Sequence, residues 1–155
     1  TSIAYKLGDA SQVAFAYGDF YQKPDRNYLF YTPSAGYNKA THYILNLQRT
    51  DDFHTLRAEI YYKQYDNLQA AQYVLSDTVH NNSGYGYAQG LDVFWRDKKS
   101  LKGVDYWISY TYLDTKRLYL NYPKEVTPPF AATHTATLVF KKFFEKQNIF
   151  FKFSP

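Results

Sequence analysis

Gly90–Tyr112 reads GLDVFWRDKKSLKGVDYWISYTY, two runs that alternate in polarity around the short polar stretch Lys98 to Lys102. Side chains along a strand point to opposite faces at every second residue. Directly opposed side chains of an antiparallel pair share a face. A turn centred near 100–101 therefore opposes Trp95 to Tyr106, Val93 to Ile108, Leu91 to Tyr110 and Gln89 to Tyr112. The other face carries Gly86, Gly90, Asp92, Arg96, Asp105, Ser109 and Thr111. One side of the predicted hairpin is oily and aromatic, the other charged and glycine-bearing.

The arrangement recurs at three further short joints: Gly8-Asp9-Ala10, Thr50-Asp51-Asp52-Phe53 and Phe144-Glu145-Lys146-Gln147. The first opposes Tyr5 to Val13 and Ile3 to Phe15. The second opposes Leu47 to Leu56, Leu45 to Ala58, Tyr43 to Ile60 and Thr41 to Tyr62, leaving His42, Asn46, Gln48, Arg57, Glu59 and Lys63 on the far face. The last opposes Phe140 to Ile149 and Leu138 to Phe151. Three long aromatic-rich joints, over about 23–38, 67–83 and 117–132, alternate with the short ones. Eight strands follow, over about 2–7, 11–21, 40–49, 54–66, 85–98, 103–116, 133–143 and 147–153. Helical patterning is weak; its best stretch, Asn67 to Leu75, reads better as loop.

Short turns on one side and long loops on the other are the signature of an antiparallel transmembrane β-barrel. Strand length agrees: a tilted strand needs about 9–11 residues to cross a bilayer, whereas globular strands usually run to about five or six. A soluble sandwich would also alternate, hiding its apolar face against a second sheet. It accounts less well for long strands, for tyrosine in place of valine and leucine, and for the regular joints. The centre of the oily face (Leu45, Ile60, Val93, Ile108, Leu138) carries no charge. Asp19 and Asp114 on that face fall toward the long-loop ends, where the cost of a lipid-facing charge fades.

Composition fits. Aromatics are 21% of the 155 residues, with 18 Tyr, and Tyr suits both strands and membrane–water interfaces. The mean hydropathy of -0.55 is no objection, because only alternate residues of a barrel strand meet lipid. No run approaches the roughly 18 apolar residues of a membrane helix. Cys is absent, so disulfide frameworks and thiolate metal sites are excluded. The net charge of +4 lacks the basic stripe that nucleic acid would require; Lys98-Lys99 with Lys102, and Lys141-Lys142, lie at or beside short turns. Thr1 follows no signal peptide and there is no Met, so a processed chain or a piece of a longer one is expected.

Over residues 83–139 the motifs become more specific. SGYGYAQGLDVFWRDKK is followed by DYWISYTYLDTKR, then NYP, then FAATHTATLV; upstream stand AYGDFYQKP, LFY, KATHYILNLQR and AEIYYKQYDNL. In order and spacing these resemble the barrel of TonB-dependent outer-membrane receptors, especially those of Bacteroidetes-type bacteria, over nearly the whole chain. The resemblance implies about eight strands of a barrel of roughly 22 strands. Residues 1–155 would be an internal or near-C-terminal portion of the barrel wall. It would lack the family's N-terminal plug domain and the segment that meets the coupling protein TonB. It ends Phe153-Ser154-Pro155 rather than at a terminal aromatic. The implied role is uptake of a scarce nutrient from outside a Gram-negative cell: a siderophore, a cobalamin-like cofactor, an oligosaccharide or a peptide. Implied partners are outer-membrane lipid, the protein's own plug, TonB, the extracellular ligand and, in some receptors, a surface lipoprotein.

Candidate site residues fall into two sets. The loop aromatics Tyr28, Phe30, Tyr31, Tyr37, Tyr119, Tyr122 and Phe130 are suited either to stacking on a ligand or to packing the loops themselves. The far-face charges Arg57, Glu59, Lys63, Asp92, Arg96 and Asp105 would meet a plug or a wet lumen, as a salt-bridge network holding wall to plug or as a path for a polar ligand. The histidines His42, His54, His80 and His134 have no metal-ligand spacing, and Asp51-Asp52 reads as turn chemistry. No cofactor is expected. Zincin, phosphate-loop and nucleophile-elbow motifs are absent, and nothing gathers Ser, His and Asp into a lipase or protease site, so catalysis is not expected. A stand-alone eight-stranded barrel serving as adhesin or anchor is the alternative, since eight strands can close.

Overall fold

The computed structural model describes residues 1–32, 35–74, 77–144 and 149–153. Eight strands form one sheet in sequence order: β1 Ser2–Gly8, β2 Ser11–Gln22, β3 Asn38–Thr50, β4 His54–Val74, β5 Asp77–Asp97, β6 Val104–Leu118, β7 His134–Phe144 and β8 Ile149–Phe153. Every ladder is antiparallel. Among the described residues no ladder joins β8 to β1, so the sheet is an open arc. No described helix is long and apolar enough to cross a membrane, which leaves crossing by strands untouched.

Among the described residues there is one sheet and no second layer against its oily face, which is not the arrangement of a sandwich. Ile3 is 70% exposed, Ile60 58%, Leu45 47% and Ile108 45%. They stand on one face with Phe15, Leu47, Tyr62, Tyr110 and Leu138. Among the described residues the buried apolar side chains include Ala70, Ala88, Val104 and Val139, with Pro128 and the larger Tyr28. So much apolar surface turned outward in one contiguous belt marks a face built to meet an apolar environment, as the outer wall of a β-barrel does.

The first hairpin has the expected register, Tyr5 opposite Val13 and Ile3 opposite Phe15. The next two differ by two residues. Leu47 opposes Ala58, Leu45 opposes Ile60 and Tyr43 opposes Tyr62. Trp95 opposes Ile108, Val93 opposes Tyr110 and Leu91 opposes Tyr112. A shift of two keeps every side chain on its face, so the polarity pattern could not distinguish the two registers; the turns do. Asp51 Oδ1 accepts hydrogen bonds from the Phe53 and His54 N–H groups at 2.9 and 2.8 Å, and Thr50 pairs with Thr55 across a four-residue turn. Asp97 Oδ1 accepts from Lys99 and Ser100 N–H, and Gly103 at φ 70° completes a wider turn. In the last hairpin Phe140 opposes Phe153 and Lys142 opposes Phe151, in place of the expected pairs with Ile149 and Leu138. Residues 145–148 of its short joint lie outside the described residues, as do Ser154 and Pro155.

The second long joint is corrected: it is strand over 67–74 and 77–83, and residues 75 and 76 lie outside the described residues. β4 and β5 are each 21 residues long and stay paired to Val74 and Asp77. At about 3.3 Å per residue each is about 70 Å long, roughly twice what a bilayer crossing needs. Alternation hides this continuation because the ladder shifts between Tyr65 and Leu68 and again before Ala70, with Asn67 left-handed at φ 57°. The first long joint holds a short helix, α1 Arg26–Tyr31, capped by Asp25, whose side chain accepts from the Asn27 N–H at 2.8 Å.

Candidate functional site

The sheet separates two chemistries. On the outer face tyrosines run across the strands toward the long-loop end. Tyr17 lies 5.2 Å from Tyr43, Tyr43 6.3 Å from Tyr62, and Tyr62 stacks on Tyr87 at 6.5 Å. Farther along, Tyr112 and Tyr110 flank His134, and Tyr110 Oη lies 2.9 Å from its Nδ1. Near the short turns His54 stacks on Trp95 at 5.7 Å, and the Lys99 ammonium sits 4.8 Å from the Phe53 ring centre. Two aromatic bands with aliphatic residues between them match the girdles of a transmembrane barrel. Two outer-face carboxylates, Asp19 and Asp114, are satisfied within the upper band. Asp19 accepts from Thr41 at 2.6 Å and pairs with Lys39 at 3.3 Å, and Asp114 accepts from Tyr87 and Gln89.

The inner face is organised around glycines of β5. Tyr65, Gly86 and Arg117 form one row across three strands. A Cβ on Gly86 would stand 2.8 Å from Arg117 Cγ; without it, Arg117 lies over the Tyr65 ring, 4.2 Å from its centre. One turn of the pleat lower, Tyr61 leans across Gly90, where a Cβ would meet its Cζ at 2.6 Å, and Lys63 lies 4.8 Å from the Tyr61 ring centre. Here the missing side chain is what lets a neighbouring strand's ring cover the backbone.

All six expected far-face charges stand on this inner face. Arg96 grips Asp105 in a two-pronged contact, Nε to Oδ1 at 2.9 Å and Nη2 to Oδ2 at 2.6 Å, and its guanidinium lies 5.4 Å from the Trp107 ring centre. Lys141 approaches the same indole at 4.4 Å. Glu59 accepts from Asn46 Nδ2 at 3.4 Å and directly opposes Asp92. These two carboxylates share a cleft of about 240 Å3 with Arg57. Lys63 opposes His42. Signs are thus mixed low on the wall and positive near the loops.

The loop aromatics divide. Tyr28 is buried; its single hydroxyl proton is shared between the carbonyls of Ala70 (3.0 Å) and Asn81, one on each strand of the long hairpin, and its ring meets His80 edge-on. Burial pushes its phenol above the ordinary value. It anchors α1 to the hairpin. Phe30, Tyr37 and Phe130 are 82%, 61% and 72% exposed. Tyr119 packs on Tyr122 at 5.5 Å, and the Arg117 guanidinium lies 5.7 Å from the Phe130 ring centre. Tyr31 belongs to α1, but its side chain lies outside the described residues. The third loop joins the hairpin edge: Leu120 N–H donates to Gln69 O and Ala71 N–H to Leu120 O, both at 2.6 Å. Asn82 donates to the carbonyls of Gly36 and Asn67, tying in the first loop.

Tyr61, Tyr65, Trp107 and Arg117 did not emerge from sequence alone. Arg117 stood at the expected start of a loop, which hid its row with Gly86; a strand carried to Leu118 brings it out. Among the described residues no group of His, Cys, Asp and Glu could hold a metal ion.

No family model matches the chain, and no curated protein does. Solved structures do. Among them the FrpB iron transporter from Neisseria meningitidis (F3-3 variant) is similar over 97% of this chain, with a TM-score of 0.77 and 11% sequence identity. The match covers 25% of the transporter's chain, so this sequence spans about a quarter of that protein's length. At this identity the likeness is one of fold. The all-β, antiparallel open sheet has the architecture of a segment of a large transporter barrel.

Proposed function

We propose that the chain is wall and outer loops of a TonB-dependent transporter in the outer membrane of a Gram-negative bacterium, of the Bacteroidetes type and from the C-terminal part of the barrel. It would import a scarce nutrient: a siderophore, a cofactor, an oligosaccharide or a peptide. The observation that carries this is the two-sided sheet, oily and girdled outside, ionic and glycine-grooved inside, in a fold shared with an iron transporter. The inner charges are suited to a plug. The directly opposed Glu59 and Asp92 repel each other across the sheet, and a plug Lys or Arg between them would relieve that repulsion. The exposed rings of Phe30, Tyr37 and Phe130 at the mouth are suited to first contact with ligand, and a surface lipoprotein could cover them. No catalytic step is proposed; transport of this kind works by conformational change driven through TonB.

The test is uptake by cells expressing the full-length protein, with labelled cargo from each of the four classes. One class should enter in a protein-dependent manner and stop when a protonophore collapses the proton-motive force. Recovery of the protein in the soluble fraction, or uptake indifferent to the protonophore, refutes the reading.

A further inference from the structure

On the inner face at the loop end lies a cleft of about 490 Å3, within the range of small-molecule sites. Phe20 lines one side, its ring tilted against His42 at 4.5 Å. Tyr65 lies opposite with Arg117 over it. Cations line the cleft and, among the described residues, no carboxylate does. Lys39 is already paired, through Asp19. Arg117 is not: its Nε is buried with no hydrogen-bond partner among the described residues, and Asn38 Oδ1, in the same lining, is in the same condition. A donor shut away from water without an acceptor bears its desolvation cost whether or not a ligand is present. An acceptor brought by a ligand is then a gain, larger when it is charged.

We propose that this cleft is a subsite for a flat organic acid that carries both a carboxylate and a hydrogen-bond donor. Arg117 takes the carboxylate through its fork. Asn38 takes the donor. The rings of Phe20, His42 and Tyr65 flank the planar body. Gly86 is part of the site because it lets Arg117 lie on Tyr65, presenting the guanidinium in one orientation. The inference rests on the import reading, since it names the chemistry of the cargo where it first meets the wall.

The test uses the full-length protein in detergent and the probe 4-hydroxybenzoate, with neutral 4-hydroxybenzamide as isostere, measured by titration calorimetry. The acid should bind at least tenfold more tightly than the amide. Arg117→Gln should erase that difference by weakening the acid alone. Gly86→Ala, whose methyl also presses on the Lys116 carbonyl oxygen and is therefore read only in protein shown to be folded, should weaken the acid at least tenfold while keeping the charge. Asn38→Asp, which puts a carboxylate in the cleft and leaves Arg117 intact, should do the same and covers the case in which Arg117→Gln fails to fold. Equal affinity for acid and amide overturns the proposal, as does no binding of the acid to folded protein, or wild-type affinity in Asn38→Asp. Uptake in the same cells separates the two readings. Acid binding without energised uptake removes the import role and leaves the subsite; energised uptake without acid binding removes the subsite alone.

Discussion

Leu91→Lys tests the orientation of the whole sheet. Leu91 stands on the outer face between Ile60 and Tyr112. Along β5 it is four residues from Tyr87 in the upper aromatic band and four from Trp95 in the lower. At about 3.3 Å per residue each band is about 13 Å away along the strand, or about 10 Å of depth at a tilt of about 40°. That is the bilayer midplane, where a lysine costs about 2–4 kcal/mol, a factor of about 30 to 700 in the folding equilibrium. Ser109→Lys is the matched control. It lies on the inner face of β6 opposite Phe94 and Thr137, beside the cleft of Arg57 and Glu59, and should cost about 1 kcal/mol or less, as surface substitutions do. The assay is urea-titrated folding of the full-length protein into phosphatidylcholine vesicles, followed by tryptophan fluorescence. The Leu91 variant should lose its folded population at markedly lower urea than the Ser109 variant. Equal midpoints, or a worse Ser109 variant, refute the assignment of faces.

Three further outcomes follow from particular contacts. Gly90→Ala places a methyl against the Tyr112 carbonyl oxygen and the Tyr61 ring and should destabilise the barrel by about 1–3 kcal/mol, as overpacking does; the same urea titration reads it, with Gly8→Ala, which meets nothing within 4 Å, as the neutral comparison. Tyr28→Phe removes the hydroxyl that joins α1 to both strands of the long hairpin. It should raise proteolytic cleavage between residues 23 and 37 several-fold with barrel stability unchanged. The N–H groups of Phe53 and His54 hold the Asp51 carboxyl below the ordinary carboxylate range. A depressed folded value means the turn's extra stability is full above about pH 4 and is lost as pH falls through the folded value. Amide-exchange protection at Phe53 and His54 should therefore decline under acid in the native protein and stay level in Asp51→Asn, whose oxygen still accepts but does not titrate.

Much of the architecture was legible in the chain because a period of two is a local property. Tyr43, Leu45 and Leu47, or Val93 and Trp95, declare their face wherever the ladder lies, and the six charges share the opposite face for the same reason. The registers of the second and third hairpins were not legible: a slide of two residues leaves polarity matched, and only the hydrogen bonds of Asp51 and Asp97 choose between them. The long hairpin was hidden by its own irregularities at Tyr65–Ala70, which break alternation while the ladder continues. Tyr28 looked like any exposed loop aromatic, because its two carbonyl partners lie 42 and 53 residues away.

By itself, then, the chain determined which residues of each strand share the oily face and which share the polar one, since alternation along a strand needs no distant partner. Only the tertiary structure decided what lies beside what. It set the row of Tyr65, Gly86 and Arg117, the fork between Arg96 and Asp105, and the anchoring of α1 on the hairpin. Those contacts depend on register and on loops returning across the sheet, and both are fixed by hydrogen bonds between residues far apart in sequence.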